Sequence, residues 1–97
     1  MDGQFRLCTV KRANPLTIET PDNDAGTALL LRLPGQHEIT RLNGAAVVMW
    51  KAWKRGDFES GVNAVLKKFP NALEAQVRSD ALGIYAGLEA AGLIVAR

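Results

Sequence analysis

The pattern of apolar and polar residues divides this chain into a strand-rich first part and a helical second part. Up to residue 42, apolar residues come in short runs separated by turn residues, which is typical of strands. From residue 43 onward they recur every three to four positions, as they do on one face of a helix. We therefore predict an α+β domain in which three N-terminal antiparallel strands precede three helices.

Three segments of the first part have the composition of strands. A short strand is predicted over 16–20, and the nearly continuous apolar run over 27–33 predicts a central strand. Residues 34–36 (Pro-Gly-Gln) have turn chemistry, and the alternating segment 37–42 then predicts a third strand that forms a hairpin with the second. Residues 1–14 fit either a further strand or a flexible arm.

Each predicted helix has an apolar stripe and a recognisable terminal residue. Asn43, Asp57 and Asn71 are residue types whose side chains cap the free amides of a helix start, so we expect a helix to begin after each of them. Gly92 is expected to end the third helix and to leave a short apolar tail that can dock on the domain. Both tryptophans of the chain fall in the stripe of the first helix, and we expect them in the core.

Length and composition describe one small folded domain that spans residues 1–97. The chain is 47% apolar and 23% charged, and its net charge is only +2. A dedicated nucleic-acid binder normally has a stronger basic cluster. The densest basic stretch contains Lys51, Lys54 and Arg55; it fits a solvated helix face, and a patch that contacts phosphate is the alternative.

The sequence has no recognisable catalytic or metal-binding motif. His37 is the only histidine and Cys8 the only cysteine, and no glycine-rich phosphate loop or paired metal ligands are present. We therefore predict a protein without catalytic activity, metal or cofactor. The chain also has no signal-peptide core and no long apolar run, so a cytoplasmic protein without membrane association is expected.

The third predicted strand suggests a binding function, because it is short, half polar and at the edge of a small sheet. The main-chain groups of an edge strand have no partner on one side, and an extended peptide can pair with them. The alternative is a winged-helix DNA-binding transcriptional regulator, since three helices and a hairpin suit such a protein. The third helix contains one basic residue, Arg78, and three acidic residues, and this negative balance disfavours contact with phosphates. A structural subunit of a larger complex is a third possibility.

Residues 37–95 resemble the PqqD-like family, whose members recognise ribosomally made precursor peptides. The matching features are a strand that ends in Leu42-Asn43, a helix that contains Trp50, a break at Gly56, and an amphipathic helix that ends in Phe69. The pattern "VRSDALGIYAGLEAAGLI" follows.

The resemblance implies a winged helix-turn-helix fold and a function as a peptide chaperone. The leader segment of a precursor peptide would add as a strand and be presented to a modifying enzyme, such as a radical-SAM protein, a leader peptidase or a cyclase. No nucleic-acid or membrane partner is expected, and the protein would be a monomer or a weak homodimer. The peptide would lie in a cleft walled by the third helix. Leu82 fits a place in the core as well as in this cleft. The implied peptide-binding residues are His37, Glu38, Ile39, Thr40, Arg41 and Leu42 on the strand, and Arg78, Leu82 and Tyr85 on the third helix.

Overall fold

The computed structural model describes residues 11–96, and over these residues the chain is an α+β domain. The predicted order of three antiparallel strands followed by three helices is confirmed, with a further strand at each end. Cys8 and most of the uncertain segment 1–14 lie outside the described residues. The elements are β1 (Lys11–Ala13), β2 (Ile18–Pro21), β3 (Ala28–Arg32), β4 (Thr40–Asn43), α1 (Ala45–Trp53), α2 (Phe58–Lys68), α3 (Glu74–Ala90) and β5 (Ile94–Ala96).

The main sheet is an antiparallel meander in the order β2-β3-β4. β3 is its central strand, as its apolar run predicted. Leu29 lies opposite Leu42, and Leu31 lies opposite Thr40. Because residues that face each other across a sheet point to the same side, Leu29, Leu31 and Leu42 form one buried face.

The two flanking strands, β1 and β5, pair with each other in a separate antiparallel ribbon. The sequence predicted only an apolar tail after α3 that can dock on the domain. The tail does dock, since Leu93 and Ile94 are buried, and it docks as a strand. The side-chain amide of Asn14 donates to the carbonyl of Gly92 at 3.0 Å, and the Asn14 backbone amide donates to the carbonyl of Leu93 at 2.8 Å.

The core lies where the three helices meet the buried face of the main sheet. Trp50 and Trp53 of α1 are fully buried, as the helical spacing predicted. The ring of Tyr85 on α3 meets Trp53 edge-on with ring centroids 4.9 Å apart, and it meets Phe58 of α2 in the same way at 5.1 Å. These three aromatic rings tie the helices together.

The prediction of helix starts was right for one helix and wrong for two. Asp57 caps α2, and its side chain accepts a hydrogen bond from the Ser60 amide at 3.1 Å. Asn43 is instead the last residue of β4, and the cap position of α1 is Gly44 with φ +56°. The sheet pairing continues through Asn43, so the chain has to turn at the next residue, where glycine adopts a positive φ without strain. α3 likewise begins after Leu73 rather than after Asn71, without a side-chain cap.

The third strand is shorter than predicted. It begins at Thr40, whereas residues 37–39 belong to the connection from β3 and are exposed. The last pair of the ladder joins Leu31 to Thr40, and the turn that starts at Leu33 leaves 37–39 without a partner. Alternation of polar and apolar residues alone does not show where pairing stops. None of the helices within residues 11–96 combines the length and apolar character needed to cross a bilayer.

Candidate peptide-binding edge

The outer edge of β4 presents main-chain groups that point away from the sheet. The amide of Gly44 donates to the carbonyl of Thr27 at 3.0 Å, which makes these two residues a hydrogen-bonded pair of the ladder. Such pairs alternate along an antiparallel ladder, so Leu42 and Thr40 also bond to β3. The amides and carbonyls of the residues between them, Arg41 and Asn43, therefore face outward. Within residues 11–96 no strand pairs with this edge.

The opposite edge of the same sheet is less suited to accept a strand. The amide of Asp22 donates to the carbonyl of Ala28 at 2.9 Å, and by the same alternation Thr20 and Ile18 bond to β3. The outward-facing residues of β2 are thus Glu19 and Pro21, and proline has no amide hydrogen to donate. β4 contains no proline, which makes it the more receptive edge of the two.

An open groove of about 500 Å³ begins at the end of β4 and lies between α1 and α3. Asn43, with its outward-facing main chain, is part of its lining. The apolar lining comes from α1, α2 and α3, and α3 also contributes one charged residue, Asp80. The Asp80 carboxylate accepts a hydrogen bond from Gln76 at 2.9 Å and remains exposed. The lining includes Asn43, Ala46, Met49, Asp80, Gly83 and Ile84.

A second, much smaller recess lies at the other end of β4. It is lined by Glu38 and Thr40 from the strand side, and by Ala91 and Leu93 from the end of α3 and the segment after it. The middle of α3 is thus near Asn43, and its C-terminal end is near Thr40. α3 therefore runs alongside β4 in the opposite direction, while it packs mainly on α2 and β5. The groove and the recess therefore lie at the two ends of β4.

The site residues predicted on the strand differ in exposure along the segment. His37, Glu38 and Ile39 are exposed just before β4, and Ile39 retains 57% of its accessible surface. Arg41 points to the outer face of the sheet and pairs with Asp22 at 2.5 Å. Leu42 is buried in the core and its main-chain groups bond to β3, so it presents neither its side chain nor its backbone to the outer edge.

The three site residues predicted on α3 do not line the groove or the recess beside β4. Arg78 hydrogen-bonds to Glu59 at 2.6 Å and to Glu74 at 3.2 Å, and these bonds raise the pKa of its guanidinium. Tyr85 belongs to the aromatic contact with Trp53, and burial raises the pKa of its phenol. Leu82 retains 57% of its accessible surface, so it is not a core residue. A role of these three residues in peptide binding stays a prediction.

The α3 residues that do line the groove are not among the predicted site residues. Asp80, Gly83 and Ile84 lie on one side of the helix because of their spacing of three and four residues. Gly83 and Gly87, one turn apart, carry no neighbouring atoms within 4 Å of where a Cβ would lie. Glycine is unfavourable inside a helix. Two glycines one turn apart were therefore the feature of the sequence that could have indicated an open surface on α3.

Within residues 11–96 there is no cluster of three or more histidine, cysteine or acidic side chains that would hold a metal ion. Comparison of the chain with models of protein families, with curated proteins and with solved structures finds no match.

Proposed function

We propose that this protein is a peptide-binding module that accepts an extended segment as an added strand on the outer edge of β4. The observation that carries the proposal is the position of that edge. It combines outward-facing main-chain groups at Arg41 and Asn43 with an adjacent groove between α1 and α3. Main-chain hydrogen bonds supply affinity in such complexes, and pockets for alternate side chains supply specificity.

The exposed segment before β4 supports the same proposal. β4 itself has only four residues, and two of them face outward. Residues 37–39 continue the chain in an exposed and unpaired form, with Ile39 available for contact. On binding, this segment would extend the strand and add further hydrogen bonds to the guest peptide.

The lining of the groove indicates the chemistry of the guest. Ala46 and Ile84 offer an apolar surface next to the buried side chain of Met49. Asp80 places a carboxylate at the same groove. The guest we propose therefore inserts an apolar side chain beside Asn43 and carries a basic side chain close to Asp80.

The resemblance to the PqqD-like family supports a more specific role. The guest would be the leader segment of a ribosomally made precursor peptide, and the protein would present it to a modifying enzyme without catalysing a reaction itself. The succession of a three-stranded sheet and three helices fits a winged helix-turn-helix arrangement, which we propose as the finer description of the fold. A monomer or weak homodimer in the cytoplasm suits this role.

The test is to titrate the protein with the leader segment of a short precursor peptide encoded beside its gene. Arg41→Pro removes an outward-facing amide and leaves the hydrogen bonds between β4 and β3 in place. We expect it to weaken binding about tenfold, because one main-chain hydrogen bond contributes roughly 0.5–1.5 kcal/mol and the ring also obstructs the edge.

Arg41→Ala is the matched control, since it also removes the ion pair with Asp22 but keeps the amide. It should bind the leader within about twofold of the unsubstituted protein, because an exposed ion pair contributes little. Circular dichroism checks that both variants fold. Equal affinity of the two variants, or amide shifts that avoid residues 37–43, would contradict strand addition at β4.

A further inference from the structure

A second depression lies on the other side of the junction between β4 and α1. Its volume is about 280 Å³, and it is bounded by the turn before β3, by α1 and by the end of α2. Its accessible apolar surface comes from Val48 and Phe69, and the buried side chain of Val47 also lines it. Phe69 is 40% exposed, so part of its ring is available for contact.

Three cations surround this apolar surface. Lys51 lies on α1, and Arg55 follows four residues later, just after the end of this helix. Lys68 comes from the last turn of α2. The lining contains no aspartate or glutamate. Among the ion pairs within residues 11–96, none involves these three side chains, whereas the neighbouring Lys54 pairs with Glu19 at 2.7 Å.

We infer that this depression, which we call the basic pocket, binds an acidic segment of a partner protein that carries an apolar anchor residue. The anchor would cover Val48 and Phe69. Aspartate or glutamate side chains next to it would pair with Lys51, Arg55 and Lys68. Charge complementarity of this kind selects a partner and speeds its association. The inference concerns a surface separate from the β4 edge and does not depend on the proposed function.

An acidic protein segment fits the basic pocket better than a nucleic acid does. A phosphate backbone uses several cations spaced along a groove and leaves an apolar floor unused. Helix α3 adds no unpaired positive charge, because its one cation, Arg78, is already paired with Glu59 and Glu74. The net charge of +2 is also low for a nucleic-acid binder.

The basic pocket and the peptide-binding groove lie on different faces of α1. Ala45, Ala46 and Met49 line the groove, whereas Val47, Val48 and Lys51 line the basic pocket. The two sites nevertheless meet at one junction, since Asn43 belongs to the groove and Gly44 to the pocket. A peptide and a partner protein can therefore be held at the same time, on opposite sides of this junction.

The experiment uses a fluorescent synthetic peptide in which aspartates flank a central leucine and phenylalanine. Fluorescence anisotropy measures its binding to the full chain, and amide-shift mapping locates it. We expect the triple variant Lys51→Ala/Arg55→Ala/Lys68→Ala to weaken binding at least tenfold, and Lys68→Ala alone about threefold, in line with exposed charge pairs. Lys67→Ala is the matched control, because Lys67 is adjacent in sequence and outside the pocket; it should change affinity less than twofold.

Two further probes decide between the possible ligands. A peptide with serine in place of leucine and phenylalanine should bind at least fivefold more weakly if the apolar floor is used. Equal binding of that peptide, tighter binding of a duplex DNA oligonucleotide through the same three cations, or shifts outside the basic pocket would each overturn the inference. Arg41→Pro should leave the affinity for the acidic peptide unchanged. The basic pocket and strand addition at β4 are therefore tested separately, and either one can be disproved without the other.

Discussion

The indole of Trp53 lies directly on the backbone of Gly61, where α1 crosses α2. A Cβ atom at Gly61 would come within 2.6 Å of Trp53 Cε2, which is closer than van der Waals contact allows. The same indole donates a hydrogen bond from Nε1 to the carbonyl of Phe58 at 3.1 Å, so the ring cannot move aside without losing it. Gly61 thus sets the distance between the two helices.

We predict that Gly61→Ala destabilises the protein although alanine favours helices. Overpacking of a filled core costs about 1–3 kcal/mol, more than the gain of roughly 1 kcal/mol in helix propensity. Urea denaturation followed by tryptophan fluorescence measures the free energy of unfolding. Gly87→Ala is the control on α3, where a Cβ meets nothing within 4 Å, and it should stabilise the protein. If Gly61→Ala left the free energy of unfolding unchanged, the two helices would be able to move apart at no cost, and the prediction would be wrong.

Glu19 joins the sheet to α1 through two side chains. Its Oε2 atom accepts a hydrogen bond from Trp50 Nε1 at 3.1 Å and pairs with Lys54 at 2.7 Å. We predict that Glu19→Ala lowers the free energy of unfolding by about 1–3 kcal/mol, because the buried indole loses its acceptor. Glu19→Gln keeps an acceptor and should cost less than about 1 kcal/mol. Equal losses in the two variants would assign the effect to the charge pair instead.

The ion pair between Glu59 and Arg78 should make stability depend on pH in the acidic range. The hydrogen bond that Arg78 donates to Glu59 lowers the pKa of the Glu59 carboxyl from its ordinary value of 4.5. A carboxyl whose folded pKa is lowered adds stability above its unfolded pKa, and this stability is lost as the pH falls through the folded pKa. The melting temperature of Glu59→Gln should therefore lie below that of the unsubstituted protein at neutral pH, and the two should converge in acid. A difference that persists in acid would contradict this.

A bulky side chain at Gly83 should close the groove beside β4. The position has room for one, since nothing lies within 4 Å of its Cβ site, and leucine favours a helix more than glycine does. We predict that Gly83→Leu folds at least as stably and binds the leader peptide at least tenfold more weakly, as measured by calorimetric titration.

Leu82→Ala tests the other side of α3 in the same assay. Leu82 is exposed and lies outside the groove. Loss of affinity in Leu82→Ala with none in Gly83→Leu would move the contact surface to the side of α3 that the sequence predicted. The opposite result would assign it to the groove.

The sequence predicted the elements whose signals are local. The helical spacing placed Trp50 and Trp53 in the core, the apolar run identified β3, and Asp57 marked the start of α2. These features depend on residues a few positions apart, so a single sequence contains them.

The features that the sequence did not predict depend on distant partners. Asn43 is a good cap by residue type, but its pairing with Ala28 keeps it in β4 and moves the helix start onward. The pairing of β1 with β5 joins segments about eighty residues apart, beyond any local pattern. The side of α3 that borders the groove follows from how the helix packs, which the row of Arg78, Leu82 and Tyr85 did not reveal.

The β1–β5 ribbon makes the described chain a nearly closed ring, because Lys11 and Ala96 are direct partners in it. The order of the elements along the polypeptide is therefore separable from their arrangement in space. A circular permutant that joins these two positions through a short linker and opens in the exposed turn at 22–27 would retain the pairings of β2, β3 and β4. New chain ends would then lie beside β2 and β3, and the outer edge of β4 would remain clear of them.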